Sequence, residues 1–157
     1  MKRESAASMP PVKVATTDRV RVLDLALATF QKLEKDVTAS EGLEDVLAQL
    51  RALEQRPLPL HRHRRLLQYI LAVPECVHFS DKARLEALKI LSFGAKRKDG
   101  CKVLTQNGII SVLLKVASES PNEELRSEAF CCLGTIVEKS EDFRNIVFRS
   151  EGYRDIL

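Results

Sequence analysis

The stretches RLEALKILSFGA (residues 84–95) and RSEAFCCLGTIV (residues 126–137) decide the fold, because they are two copies of one helical pattern. Glu86 aligns with Glu128 at an offset of 42 residues, and Leu91 aligns with Leu133 at the same offset. In both stretches apolar residues recur every three or four positions, as on one face of an α-helix. The chain is therefore predicted to stack similar helical units.

A second pair of stretches extends the repeat toward the end of the chain. CKVLTQNGIISVLL (residues 101–114) aligns with NIVFRSEGYRDIL (residues 145–157), which places Gly108 over Gly152 at an offset of 44 residues. Each glycine is predicted to form a turn between a short helix and a longer one, since glycine adopts positive φ without a steric penalty. The repeated unit is therefore a short helix, a glycine turn and two longer helices.

The helical pattern divides the chain into a short tail and one helical domain. Residues 1–16 are predicted to be a disordered tail, and residues 17–157 a single all-α domain. Within the domain, 17–79 are assigned to N-terminal capping helices and a degenerate repeat, and 80–157 to clear repeats. The last repeat has no third helix, so we expect a chain that is truncated at the C-terminus and belongs to a longer protein.

Two helix starts carry recognisable capping residues. Ser80 precedes a helix that begins at Asp81. Ser120 precedes Pro121, which would occupy the first helical position, and Glu123 follows three residues after the serine as in a capping box. The sequence therefore predicts that Ser80 and Ser120 cap these two helices.

Composition favours a protein of the cytoplasm, with the nucleus as an open alternative. The formal net charge is only +3, and no apolar run is long enough to span a bilayer, so we expect no membrane partner. The first residues make a poor secretory signal, because no continuous apolar stretch follows the basic ones. The four cysteines form no C-x-x-C pair and are expected to be reduced. They are Cys76, Cys101, Cys131 and Cys132.

The segments NGIISVLL (residues 107–114) and SEAFCCLGTIV (residues 127–137) resemble the second and third helices of armadillo repeats. The resemblance covers about residues 80–157. HEAT repeats are the near alternative, and the glycine turn after a short first helix favours armadillo. The resemblance implies a right-handed armadillo-like helical solenoid.

The resemblance also implies a binding surface. In armadillo proteins partners usually bind the concave surface that the third helices line. Lys89 and Cys131 occupy the positions of the tryptophans that importin-type members use, and Phe93 and Thr135 occupy those of the asparagines. This sequence has neither the row of tryptophans nor the row of asparagines that those members use. The resemblance therefore does not imply that this chain binds nuclear signals. We expect a non-enzymatic scaffold or adaptor that binds a protein or peptide partner through these four residues, with further repeats of the same longer chain beside it.

The role of Phe93 stays open at this point, since an aromatic side chain there would either anchor a partner or pack between repeats.

A different function is conceivable for the basic stretches HRHRR (residues 61–65) and KRK (residues 96–98). They would let a helical domain similar to those of transcription factors contact nucleic acid. GLEDVLAQLRALEQRP (residues 42–57) is similar to the opening helix of the N-terminal domain of transcription elongation factor S-II, although that family's tryptophan is missing. We favour protein binding because aromatic residues do not interleave with the basic ones.

Catalysis and metal binding are not expected. The sequence has no glycine-rich phosphate loop and no G-x-S-x-G motif, so neither an enzyme activity nor a cofactor is predicted. His61 and His63, like Cys76 and His78, stand two positions apart. Residues at that spacing do not share a helix face, so a zinc site is not predicted either.

Overall fold

The computed structural model describes residues 16–54, 63–139, 144–145 and 149. Within these ranges the chain is all-α, with seven helices and no strand. The helices are α1 (Thr16–Lys35), α2 (Leu43–Glu54), α3 (Arg64–Ala72), α4 (Asp81–Ala95), α5 (Lys98–Gln106), α6 (Ile109–Glu119) and α7 (Glu123–Lys139).

The helices pack as sequential pairs that also contact along the chain. α1 packs on α2, α3 on α4, and α6 on α7. Across the pairs, α4 contacts both α2 and α7, while α3 contacts both α1 and α6. The short helix α5 contacts α4, α6 and α7. One row of contacts thus runs through α2, α4 and α7, and a second row runs through α1, α3 and α6.

A continuous apolar core lies among these helices. It extends from Val22 in α1 to Ile136 in α7, and Leu47, Leu88 and Leu113 are completely buried within it. Burying a leucine side chain contributes roughly 1.5–3 kcal/mol, so this core is the main source of stability. Helix α4 is buried around most of its circumference because several helices contact it.

The contact between α1 and α3 includes an aromatic pair. The rings of Phe30 and Tyr69 stack with their centroids 5.1 Å apart and an interplanar angle of 3°. The Tyr69 hydroxyl donates a hydrogen bond to the Glu34 carboxylate. That hydrogen bond raises the pKa of Tyr69 above its usual value. Together the ring contact and the hydrogen bond fix α3 against α1.

Two glycines permit the tight path of the chain around α5. Gly108 lies between α5 and α6 with φ of 89°, a left-handed conformation that other residues rarely adopt. At Gly100, a Cβ atom would lie 2.3 Å from the carbonyl oxygen of Gly94. The start of α5 therefore approaches the end of α4 closely, and any side chain at position 100 would prevent that approach.

The cap of α4 is confirmed, and the predicted cap of α7 is wrong. The Ser80 Oγ atom accepts a hydrogen bond from the Ala83 backbone N–H at 3.1 Å. Helix α7 instead begins after Asn122, whose Oδ1 atom accepts from the Leu125 backbone N–H at 3.0 Å. Ser120 ends α6. Its hydroxyl accepts from the Asn122 N–H at 3.2 Å, so it orients the true cap.

Some predictions fall on residues outside the described ranges. The predicted tail 1–16 lies outside them except for Thr16, at which α1 begins. Of the incomplete last repeat, residues 144–145 and 149 are helical, and Gly152 with its predicted turn lies outside. None of the helices described by the structure is both long and apolar enough to cross a membrane.

Candidate protein-interaction surface

The four predicted contact residues lie on two helices that pack together. Lys89 and Phe93 are one turn apart on α4, and Cys131 and Thr135 are one turn apart on α7. Cys131 is exposed, and the other three side chains are partly exposed. The Thr135 hydroxyl donates to the Cys131 backbone carbonyl at 3.1 Å. All four positions are therefore accessible on neighbouring elements.

Phe93 has one lysine before it on α4 and another, Lys96, directly after the end of the helix. The ammonium of Lys96 lies 4.8 Å from the centroid of the Phe93 ring, which is within the range of a cation–π interaction. Lys89 precedes Phe93 by one turn on the same side of the helix. The partly exposed ring therefore contacts one cation, and a second lysine stands one turn before it on the helix.

A hydrogen bond across the two helices fixes how α7 lies on α4. The Ser92 hydroxyl donates to the Glu128 Oε2 atom at 3.0 Å. Cys132 is buried beside this bond, and burial raises the pKa of its thiol to about 12. A thiol with so high a pKa stays protonated at neutral pH, so Cys132 acts as a small apolar residue.

The contact between α2 and α4 repeats this arrangement one unit earlier. Arg51 of α2 donates from Nε to the Glu86 Oε1 atom of α4 at 2.5 Å. Glu86 is almost fully buried, whereas Arg51 is about one-third exposed. Glu86 and Glu128 are the glutamates that the sequence repeat aligns, and each bonds to the preceding helix in the row.

The starts of the same helices are also joined in a repeated way. The Ser80 hydroxyl, at the cap of α4, donates to Glu44 in the first turn of α2. The Asn122 Nδ2 atom, at the cap of α7, donates to the Asp81 Oδ2 atom in the first turn of α4 at 2.9 Å. Because their N-terminal ends meet, α2, α4 and α7 run in the same direction. The members on α4 and α7 stand 42 residues apart, as Ser80 with Asn122 and Glu86 with Glu128, whereas the residues they contact on the preceding helices stand 37 and 41 apart.

Sequence reasoning missed Phe130, which is 44% exposed on α7. It belongs to a stripe of exposed residues at helical spacing, which we call the Phe130 face. The offset of 42 residues does not mark it as exposed, because that offset aligns Phe130 with Leu88 of α4. Leu88 is completely buried. The Phe130 face consists of Ser127, Phe130, Gly134 and Glu138.

One basic stretch lies at the start of a helix, and the other lies at the end of a helix. Arg64 and Arg65 are exposed in the first turn of α3, and residues 61–62 lie outside the described ranges. Lys96 ends α4 and covers Phe93. In the described part of the chain, no group of three or more His, Cys, Asp or Glu side chains could hold a metal ion.

Comparison with models of known protein families, with curated proteins and with solved structures finds no match. The functional interpretation therefore depends on the residues and their geometry.

Proposed function

We propose that this chain is a right-handed armadillo-like helical solenoid that binds proteins or peptides as a non-enzymatic scaffold or adaptor. The observation that carries the proposal is the repeated pair of contacts that joins α2 to α4 and α4 to α7. Arg51 of α2 bonds to Glu86 of α4, and Ser92 of α4 bonds to the aligned Glu128 of α7. A chain whose aligned glutamates each bond to the preceding helix builds a row of parallel helices, and such rows present broad binding surfaces.

The partner would contact the α4–α7 side of that row through Lys89, Phe93, Cys131 and Thr135. The cations on either side of Phe93 favour an acidic segment that also carries an apolar side chain. A ring that is partly exposed and held by Lys96 is ordered before a partner arrives, which lowers the entropic cost of binding. Phe93 is therefore proposed to anchor the partner.

A capture experiment tests this surface. The wild-type chain and a Lys89→Glu/Phe93→Ala variant would be immobilised, and recovered proteins would be quantified by mass spectrometry. The matched control is Lys32→Glu/Val77→Ala, which changes the same kinds of side chain at exposed positions elsewhere. Partners should be lost from the first variant alone. Equal recovery by all three proteins, with helicity intact by circular dichroism, would reject this surface.

We also propose that the protein works in a reducing compartment, the cytoplasm or the nucleus. The four cysteines are free thiols.

Nucleic-acid binding is the second candidate, because Arg64 and Arg65 are both exposed at the start of α3. Binding of this kind is electrostatic and weakens steeply with salt. A fluorescent duplex DNA titrated with the protein at low salt would test it, with Arg64→Glu/Arg65→Glu as the variant and Lys32→Glu/Lys35→Glu as the charge-matched control. Absence of binding at the lowest salt would exclude this candidate.

A further inference from the structure

Five side chains share one side of α4 and are at least partly exposed. Successive residues of a helix are turned by about 100°, so the spacing of these five places them within about 80° of one another around the helix axis. The first and the last are exposed, and the last follows directly after α4 with a helical backbone. This set, which we call the lysine stripe, consists of Lys82, Leu85, Lys89, Phe93 and Lys96.

Hydrogen bonds on either side of the lysine stripe define the direction in which it faces. On one side of the stripe Glu86 bonds to Arg51 of α2. On the other side Ser92 bonds to Glu128 of α7. By the same helical geometry Glu86 and Ser92 each lie about 60° from the middle of the stripe. The lysine stripe therefore lies between α2 and α7 on the outer surface of the row.

The three lysines of the stripe are open to further contacts. Lys82 lies 4.0 Å from a Glu44 carboxylate oxygen, at the limit for an ion pair, and its side chain is 72% exposed. Lys96 contacts the Phe93 ring. Among the residues that the structure describes, Lys89 has no ion-pair partner. Three ammonium groups on one side of a helix therefore attract a partner with complementary carboxylates.

The helices next to the lysine stripe carry small side chains beside its middle and acids toward its ends. These positions align with the stripe at the offset of 42 residues on α7, and at the offset of 41 on α2 that aligns Arg51 with Ser92. The positive strip is therefore about one helix wide, with negative charge on both sides. The small residues are Ala48, Ala52, Cys131 and Thr135, and the acids are Glu44, Glu124 and Glu138.

We infer that the lysine stripe binds an acidic amphipathic α-helix of a partner protein, which lies along α4. This inference rests on the proposed function, because it names the kind of partner that the same surface binds. Carboxylates of the bound helix contact the three lysines, and its apolar side chains contact Leu85 and Phe93. Alternation of charged and apolar contacts along one line fixes the register of the bound helix.

The spacing of the lysines favours a helix over an extended peptide. Lys82, Lys89 and Lys96 stand seven residues apart, which is about 10.5 Å along the axis of α4. A bound helix covers this distance in seven residues and returns a side chain to the same side after two turns. An extended chain covers it in about three residues, and since its side chains alternate, every second carboxylate would point away from α4.

The neighbouring acids favour a single helix over nucleic acid. An α-helix with its side chains is about 10–12 Å wide, so it covers the lysine stripe alone. The phosphates of a duplex would spread beyond the stripe toward Glu44 on α2 and Glu124 on α7, which repel them. Leu85 and Phe93 would also lie against phosphates and gain no apolar contact.

This chain does not contain the complementary pattern. In its 157 residues, acidic residues occur nowhere at three successive positions of seven-residue spacing. In residues 140–157, Glu141 and Asp155 have the outer spacing, but Phe148 stands midway, where the partner of Lys89 is required. The pattern is therefore supplied by another polypeptide.

The test uses the full 157-residue chain and a fluorescent helical peptide of about 18 residues, long enough to cover the stripe. The peptide carries three glutamates at seven-residue spacing, leucines between them, and alanine and glutamine elsewhere. The matched control peptide has the same composition, with its glutamates placed on different sides of the helix. In fluorescence anisotropy at low salt the first peptide should bind saturably and at least about fivefold more tightly than the control. Added salt should weaken this binding.

A pair of lysines that the proposed function does not use provides the first variant. Lys82→Gln/Lys96→Gln should weaken binding of the glutamate peptide by about fivefold, because two charged contacts are lost. The matched control is Lys32→Gln/Lys35→Gln on α1, which should bind as the wild type does. All four lysines are exposed, so circular dichroism should be unchanged.

A charge exchange tests the register of the bound helix. Lys89→Glu should weaken binding of the glutamate peptide, because the central carboxylate then faces another carboxylate. A peptide with lysine in place of the central glutamate should bind Lys89→Glu more tightly than it binds the wild type. Recovery of this kind requires that the central residue of the peptide faces position 89.

Three results would overturn the inference. The first is equal binding of the glutamate peptide and its control, and the second is a charge exchange without recovery. The third is duplex DNA that binds the wild type more tightly than the peptide does and is lost from Lys82→Gln/Lys96→Gln, which would make nucleic acid the occupant. If proteins are captured through Lys89 and Phe93 while the peptide does not bind, the proposed function stands and the acidic helix is rejected.

Discussion

Arg51 and Glu86 join α2 to α4 through a guanidinium–carboxylate contact in which Nε and Oε1 are 2.5 Å apart. The carboxylate is the more buried partner. Sequence repetition alone does not show that the aligned glutamates Glu86 and Glu128 share a role. The contact with Arg51 does, because Glu128 makes the corresponding bond to Ser92.

Removing one partner of the Arg51–Glu86 pair should destabilise the chain. We expect Arg51→Ala to lower the free energy of unfolding by about 1–3 kcal/mol, because the nearly buried Glu86 carboxylate loses its charged donor. Urea denaturation would measure the change. The exposed Lys32→Ala is the control and should change stability by less than about 0.5 kcal/mol. A double-mutant cycle with Glu86→Gln that gives no coupling energy would contradict the pairing.

Two glycines should respond to alanine in opposite directions. Gly108→Ala should cost about 1–2 kcal/mol, because alanine must adopt the positive φ of that position. Gly134→Ala should stabilise by about 0.5–1 kcal/mol, because the new Cβ lies in open space within a regular helix. The thermal unfolding midpoints of the two variants, each compared with that of the wild type, would test both expectations. Destabilisation by Gly134→Ala would show that the Phe130 face is not open.

The cap of α7 should depend on Asn122. Asn122→Ala should lower stability by about 1 kcal/mol or more, since it removes the acceptor for the Leu125 N–H and the donor to Asp81. Asn122→Ser keeps a capping oxygen and should recover most of the loss. Chemical denaturation would measure the free energy of unfolding of the Asn122→Ala and Asn122→Ser variants. If the Asn122→Ala variant were as stable as the wild type, Asn122 would not be the residue that caps α7, and Ser120 would again be the candidate.

Adjacent cysteines should differ strongly in reactivity. Cys131 is exposed, whereas Cys132 is buried with its pKa raised to about 12, so its thiolate is scarce at about pH 8. Burial also raises the pKa of Cys101. Labelling of the native protein with iodoacetamide, read by peptide mass spectrometry, should modify Cys131 well before Cys132 and Cys101. Cys131→Ser should abolish fast labelling of the peptide that contains residues 131 and 132, while the partly exposed Cys76 is followed on its own peptide. Fast labelling of the 131–132 peptide in this variant would place the reactive thiol at Cys132.

The all-α class and the cap at Ser80 could be predicted from the sequence, because helical spacing and capping are local properties. The cap at Ser120 was wrong for a local reason as well. Ser120 and Asn122 are both good capping residues, and only the backbone path decides which of them faces the first free N–H groups.

The candidate surface could be predicted only in part. Aligned positions identified Lys89 and Phe93 as members of one surface, but the cation–π contact of Phe93 with Lys96 depends on a side-chain rotamer. Phe130 could not be recognised as exposed from the repeat, because the offset of 42 residues aligns it with Leu88, which is completely buried. Its exposure depends on which helix packs next in the row, and that information is not local.

The row of contacts through α2, α4 and α7 also has a mechanical consequence. A force that separates α2 from α7 passes first through the Arg51–Glu86 contact and then through the Ser92–Glu128 contact, since each helix is bonded to its neighbour in turn. Extension would therefore load both junctions of the row, and each junction also buries apolar side chains that must be exposed before the helices separate.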